Sequence, residues 1–217
     1  MLGLLRKDML LARKALSWVY LFPVVLMIVS LFGAPAIMAM SLAIVIFFLA
    51  NSLVYSVFEA DSKYWWENTI WSLPLRASQV VGARFLFSLI LLAALLLVVI
   101  VFEVAIAFFF DISAPLIFAT VFGSLASTLM YSAIVFPIVY RYGPAKMQLA
   151  TIIYIVLVLL FGFSVMKFIP TDAISMLLSD IWLMPVVSLG ALVFAVVCLL
   201  VSYFVSLKMV EKEHARR

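Results

Sequence analysis

Residues 89–110 read LILLAALLLVVIVFEVAIAFFF, 22 positions with one charge, Glu103. As a helix such a run exceeds the ~30 Å of a hydrocarbon core at about 1.5 Å per residue. It lacks the alternation of a barrel strand, and helices or closed barrels alone satisfy every backbone group in lipid. Comparable apolar runs occupy about 16–33, 36–58, 81–110, 114–139, 147–168 and 183–206. The sequence therefore predicts an all-α polytopic membrane protein with six transmembrane helices in one domain, residues 1–217.

Charge fixes the expected orientation. With both termini inside, 13 of the 14 Lys and Arg residues fall on the inner side and only Lys167 lies outside. Short loops show this bias because basic residues are retained on the cytoplasmic face. The chain is 69% apolar and 11% charged, with a mean hydropathy of +1.34. A soluble domain of 217 residues has too much surface to hide such a composition. The net charge of +4 suits an anionic lipid surface, and no nucleic-acid partner is expected. Cys198 has no cysteine to pair with and reads as a packing residue.

Residues 1–15 form the expected elbow helix. Leu4-Leu5-Arg6-Lys7 recurs as Leu11-Ala12-Arg13-Lys14. A seven-residue period is close to two turns and puts Arg6, Lys7, Arg13 and Lys14 on one stripe, against lipid phosphates. Leu2, Leu5, Met9, Ala12 and Leu16 line another face. The segment has no compelling cleavage site and reads as retained. Gly33-Ala34-Pro35 makes an external hairpin, with Pro35 suited to open the second span.

The cytoplasmic segment 59–79 is the most polar stretch before the tail. It holds Glu59, Asp61, Lys63, Trp65, Trp66, Glu67, Trp71 and Arg76, and three of the five tryptophans. Trp favours the membrane interface. Mixed charges around aromatic side chains suit a docking helix for a cytoplasmic partner; an ordinary amphipathic loop is the plainer reading. Pro74 ends that helix, and Arg84 reaches back to the inner face. Gly123 and Ser127 have the spacing of small residues at a close helix contact, read chiefly as packing within one bundle, with dimerisation as the alternative. Arg141 and Lys146 mark a short inner turn. Residues 168–182 make a partly apolar external segment, read as interfacial or re-entrant.

Catalytic sets are missing from the sequence. His214 in the tail is the sole histidine, so neither a Ser/His dyad nor a histidine metal site is expected in the bilayer. No phosphate-binding loop of the Gly-x-x-x-x-Gly-Lys-Ser/Thr kind occurs. A carboxylate at Glu103 is costly in lipid. It reads either as an acid near the outer interface, reached by water or Lys167, or as a residue on a substrate or proton path.

Three motifs carry a family resemblance: the elbow Leu-Leu-Arg-Lys-Asp-Met-Leu-Leu-Ala-Arg-Lys; Glu59-x-Asp61-x-Lys63-x-x-Trp66-Glu67 followed by Ser72-Leu73-Pro74 and Arg76-x-x-Gln79-Val80-Val81; and Pro137-x-x-Tyr140-Arg141-Tyr142-Gly143-x-x-Lys146. With these the chain resembles ABC-type exporter permeases of the type-2 class. It is most similar to the small six-span bacterial subfamily that includes permeases of antimicrobial-peptide and phenol-soluble modulin exporters. The resemblance implies a permease in the bacterial plasma membrane that is not itself an enzyme. It implies a second permease, as homodimer or paralogue, and two copies of a cytoplasmic ABC ATPase that bind ATP and Mg; this chain itself needs no cofactor. Residues 59–71 would be the coupling helix, with Arg141 and Lys146 as further inner contacts. An amphipathic or hydrophobic cargo, such as a peptide, is the matching expectation. The other readings are a proton-coupled secondary transporter using Glu103 and a non-transporting immunity or assembly protein.

Overall fold

The computed structural model describes residues 2–19, 35–63, 76–110, 113–168 and 183–214. Six α-helices account for nearly all of these: α1 Leu2–Val19, α2 Pro35–Lys63, α3 Ala77–Phe110, α4 Ala114–Tyr142, α5 Met147–Phe168 and α6 Leu183–His214. No strand occurs among the described residues. Among the described residues, three stretches are long and apolar enough to cross a membrane: Ala77–Val104, Ala114–Tyr142 and Leu183–Lys212. Most of the expected first span, the segment 64–75 and the external segment 169–182 lie outside the described residues.

Helix ends follow local chemistry. Pro35 opens α2, where its missing N–H costs no intrahelical bond. Helix α2 does not stop at residue 58: Glu59–Lys63 is its last turn. Pro115 sits in the first turn of α4, and the Ser113 carbonyl accepts the Leu116 and Ile117 N–H groups at 3.1 and 3.4 Å. At the other end Gly143 takes φ +82°, a left-handed value that suits glycine, and its N–H returns to the Val139 carbonyl at 2.8 Å. A single 3₁₀ turn, Pro144–Lys146, then leads directly into α5.

Helix α4 is the centre of the bundle. It packs most extensively on α6 and also touches α2, α5 and α3, while α1 lies across α2 and α3. The buried side chains of α4 and α6 include many small or hydroxyl residues: Ser124, Ala126, Thr128 and Ser132 on one, Ala195, Ser202 and Ser206 on the other. Small side chains let helices come close, where lipid supplies no hydrophobic drive to bring them together. The α4 hydroxyls are satisfied within their own helix: Ser124 donates to the Val121 carbonyl at 2.8 Å, Thr128 to Ser124 at 2.8 Å and Ser132 to Thr128 at 3.0 Å. The expected close contact at Gly123 is not where α4 packs tightly. A Cβ built on Gly123 meets nothing within 4 Å, and Ser127 instead bonds the Tyr154 hydroxyl of α5 at 2.8 Å.

Two aromatic groups tie the helices together. Phe47, Tyr131 and Tyr154 join α2, α4 and α5, with centroids 5.3–5.8 Å apart. Nearer the Lys63 end of α2, Phe85 meets Phe136 edge-on at 4.6 Å and Tyr203 at 5.4 Å, and Phe58 packs on Phe136 and Tyr140. Edge-to-face pairs of this kind add to the burial of their apolar area. Large apolar residues such as Ile152, Leu159, Val186, Phe194 and Phe204 stand exposed along α5 and α6, as lipid-facing surfaces require.

Candidate functional site: a buried quartet of charges

Four charges from three helices meet above the second aromatic group. Lys7 and Asp8 come from α1, Asp61 from the last turn of α2, and Arg84 from the first turns of α3. Each base touches both acids. Lys7 Nζ lies 2.6 Å from Asp61 Oδ1 and 3.4 Å from Asp8 Oδ1. Arg84 Nη1 lies 3.3 Å from Asp8 Oδ1, and Nη2 pairs with Asp61 Oδ2. Two positive and two negative charges thus alternate around a closed circuit, and its net charge is zero.

Local sequence explains the arrangement. Leu5, Asp8 and Ala12 follow one face of α1, and that is the face turned to the bundle, with Asp8 and Ala12 buried. Arg84 belongs to the inward stripe of α3 that includes Val81 and Ser88. Its guanidinium lies 4.7 Å above the Phe58 ring, so one flat face is covered by an aromatic and the edge is left for the carboxylates. Taking charges out of water is costly, and only mutual pairing offsets it.

The circuit is uneven. The Asp61 corner is closed by direct pairs from both bases, with a hydrogen bond from Lys7. At the Asp8 corner, Asp8 Oδ1 and Arg84 Nη1 make no aligned hydrogen bond, so charge alone holds them. The buried Tyr140 hydroxyl, within electrostatic reach of Arg84 and Asp8, has no hydrogen-bond partner either. Burial, followed by the Arg84 charge, lowers the Lys7 ammonium to about 8, against the upward pull of Asp8.

The residues singled out from sequence separate into groups. Glu59 and Lys63 are exposed on the last turn of α2, whereas Asp61 between them faces the quartet. Trp65, Trp66, Glu67 and Trp71 lie outside the described residues. Arg76 is exposed just before α3, where Gln79 Oε1 accepts its N–H at 3.2 Å. Arg6 and Arg13 are exposed on α1, but Lys7 turns from that stripe into the bundle; the Lys14 side chain is outside the described set. Arg141 and Lys146 are exposed on either side of Gly143, with the Arg141 guanidinium 5.1 Å from the Tyr142 ring.

Asp8 is not among the residues singled out from sequence, and Arg84, expected to reach back to the inner face, turns to the two carboxylates. The sequence signal for Asp8 is that it is the single acid among the bases of residues 1–15, on the same helical face as Leu5 and Ala12.

Glu103 sits elsewhere, near the opposite end of α3. It is 1% exposed. Oε1 has a long contact of 3.5 Å with the Thr120 hydroxyl, which lies closer to the Ile117 carbonyl at 2.9 Å, and Oε2 has no partner.

A family model described as ABC-2 family transporter protein matches residues 3–211. No curated protein and no solved structure matches the chain. The match covers nearly the whole sequence, so the chain belongs to the ABC-2 family of transporter proteins and is a membrane protein of the ABC permease type.

Proposed function

We propose that this ABC-2 family member is the membrane-spanning subunit of a bacterial ABC exporter, driven by a separate ATPase that docks at its inner face. In this reading the chain crosses the plasma membrane six times with both termini inside. It pairs with a second permease, a copy or a paralogue, and two ATPase subunits supply ATP and Mg chemistry. An amphipathic or hydrophobic cargo fits a bundle whose buried faces are mostly apolar.

The observation that carries the proposal is the position of the quartet. It fastens α1 to the end of α2, from which the chain leaves into residues 64–75, and to the start of α3, where it returns. A push on that segment is therefore shared by two long helices and the elbow at once. Exposed Glu59, Lys63 and Arg76 flank the segment and are the described part of the docking surface, with Trp65, Trp66, Glu67 and Trp71 completing it. ATP binding shifts the permease only through contacts that differ between the ATPase states.

Purification from native membranes in mild detergent, with mass identification of co-eluting proteins, tests this. A stoichiometric ATPase with a phosphate-binding loop is the expected result. Its reproducible absence from an otherwise intact preparation overturns the reading.

A further inference from the structure

Glu103 continues a buried stripe on α3 that runs through Phe85, Ser88, Leu92 and Val99. Its described neighbours face outward: Val101 is 68% exposed, Val104 61% and Phe102 40%. The carboxyl thus enters the line between α3 and α4 while both flanks of its helix remain open to lipid. Along that line α3 and α4 touch only sparsely, since α4 is held chiefly by α6.

Nothing described here satisfies the carboxyl. One oxygen has a 3.5 Å contact with a hydroxyl already engaged at 2.9 Å, and the other has none. All four ion pairs of the described residues belong to the quartet. The 19 residues from Arg84 to Glu103 put the two about 28 Å apart along α3. That nearly equals the ~30 Å thickness of a hydrocarbon core. With the quartet at one headgroup boundary, Glu103 lies at the depth of the other.

An unpartnered acid at headgroup depth, with apolar helix surface running from it towards the bilayer centre, has the polarity of an amphipath in mirror image. We propose that Glu103, with Thr120 beside it, is a binding site for the positively charged headgroup of a membrane-borne amphipath, an ammonium or guanidinium whose tail lies along α3. The cation supplies the donors that Oε2 lacks, and Thr120 adjusts its hydroxyl to the occupied site. Calling the amphipath a cargo rests on the permease reading; the site itself does not, because an amine-bearing lipid offers the same chemistry.

The test uses the full chain in phosphatidylglycerol vesicles, without ATP or partner. A photoreactive dodecylammonium and its neutral dodecanol counterpart are cross-linked, and adducts are mapped by mass spectrometry. The ammonium should label residues within a turn of Glu103 and Thr120 at least ~10-fold more than the alcohol does. Glu103→Gln should remove that preference, and Glu103→Asp should retain part of it. Labelling that is equal for the two probes, or unchanged in Glu103→Gln, overturns the site. So does failure of both variants to hold the wild-type melting temperature, which would make Glu103 a structural residue. Competition by added phosphatidylethanolamine assigns the site to a lipid headgroup; its absence assigns it to a free amphipath. An ATPase missing from the native complex would leave either result standing.

Discussion

Lys7 Nζ lies 2.6 Å from Asp61 Oδ1, although 54 residues separate them in the chain. The contact joins the elbow to the last turn of α2, and Arg84 on α3 completes the same circuit. Helix α1 is thus anchored to the two helices that border residues 64–75.

Removing Arg84 should be the most damaging change in the quartet. Arg84→Ala leaves two buried carboxylates with only Lys7 between them, a loss of about 3–5 kcal/mol for broken buried pairs. Arg84→Lys keeps the charge but gives up the fork and the stacking on Phe58, and should fall between. Melting in detergent, followed by size-exclusion fluorescence, reads both. An unchanged melting temperature in Arg84→Ala would show that the circuit carries no stability.

The pH dependence follows from Lys7. Its ammonium is lowered to about 8 in the fold, against 10.5 in the open chain. Between those values the unfolded chain holds a proton that the folded one has released, so folding stability rises with pH across that window. Lys7→Met should lack this rise. Parallel pH profiles of melting for the two proteins would contradict the assignment.

Docking and folding should separate at neighbouring positions. Glu59 is exposed and Asp61 is buried in the quartet. Glu59→Lys should weaken co-purification of an ATPase while leaving the melting temperature in place. Asp61→Lys should lower the melting temperature itself, because it puts a third positive charge into the circuit. Equal effects of both on melting would remove the distinction.

Packing at α4 gives an opposite pair. Gly123→Ala adds a methyl that meets nothing within 4 Å and should be neutral, or stabilising by up to about 1 kcal/mol through helix propensity. Ser124→Leu forces a large side chain into a buried position and should cost about 1–3 kcal/mol. Thermal unfolding of the two variants beside wild type decides it.

Much of the helical layout was legible. Helix α5 begins at Met147, where the apolar run begins, because the Gly143-Pro144 turn and Lys146 punctuate the chain there. The end of α2 was not legible in that way. Hydropathy reports where the apolar run ends, whereas the backbone helix continues through Glu59–Lys63. The quartet was less legible still. Pairing across more than fifty residues has no periodic signature, and Lys7 shares its spacing with Arg6 and Arg13, which do face outward. Glu103 was visible as an isolated charge in an apolar run; its missing partner required the position of Thr120.

The order of synthesis gives the quartet a further meaning. Lys7, Asp8 and Asp61 leave the ribosome before Arg84. Until Arg84 is made, two carboxylates share one ammonium. The four charges can therefore balance only on a chain in which α3 has joined α1 and α2.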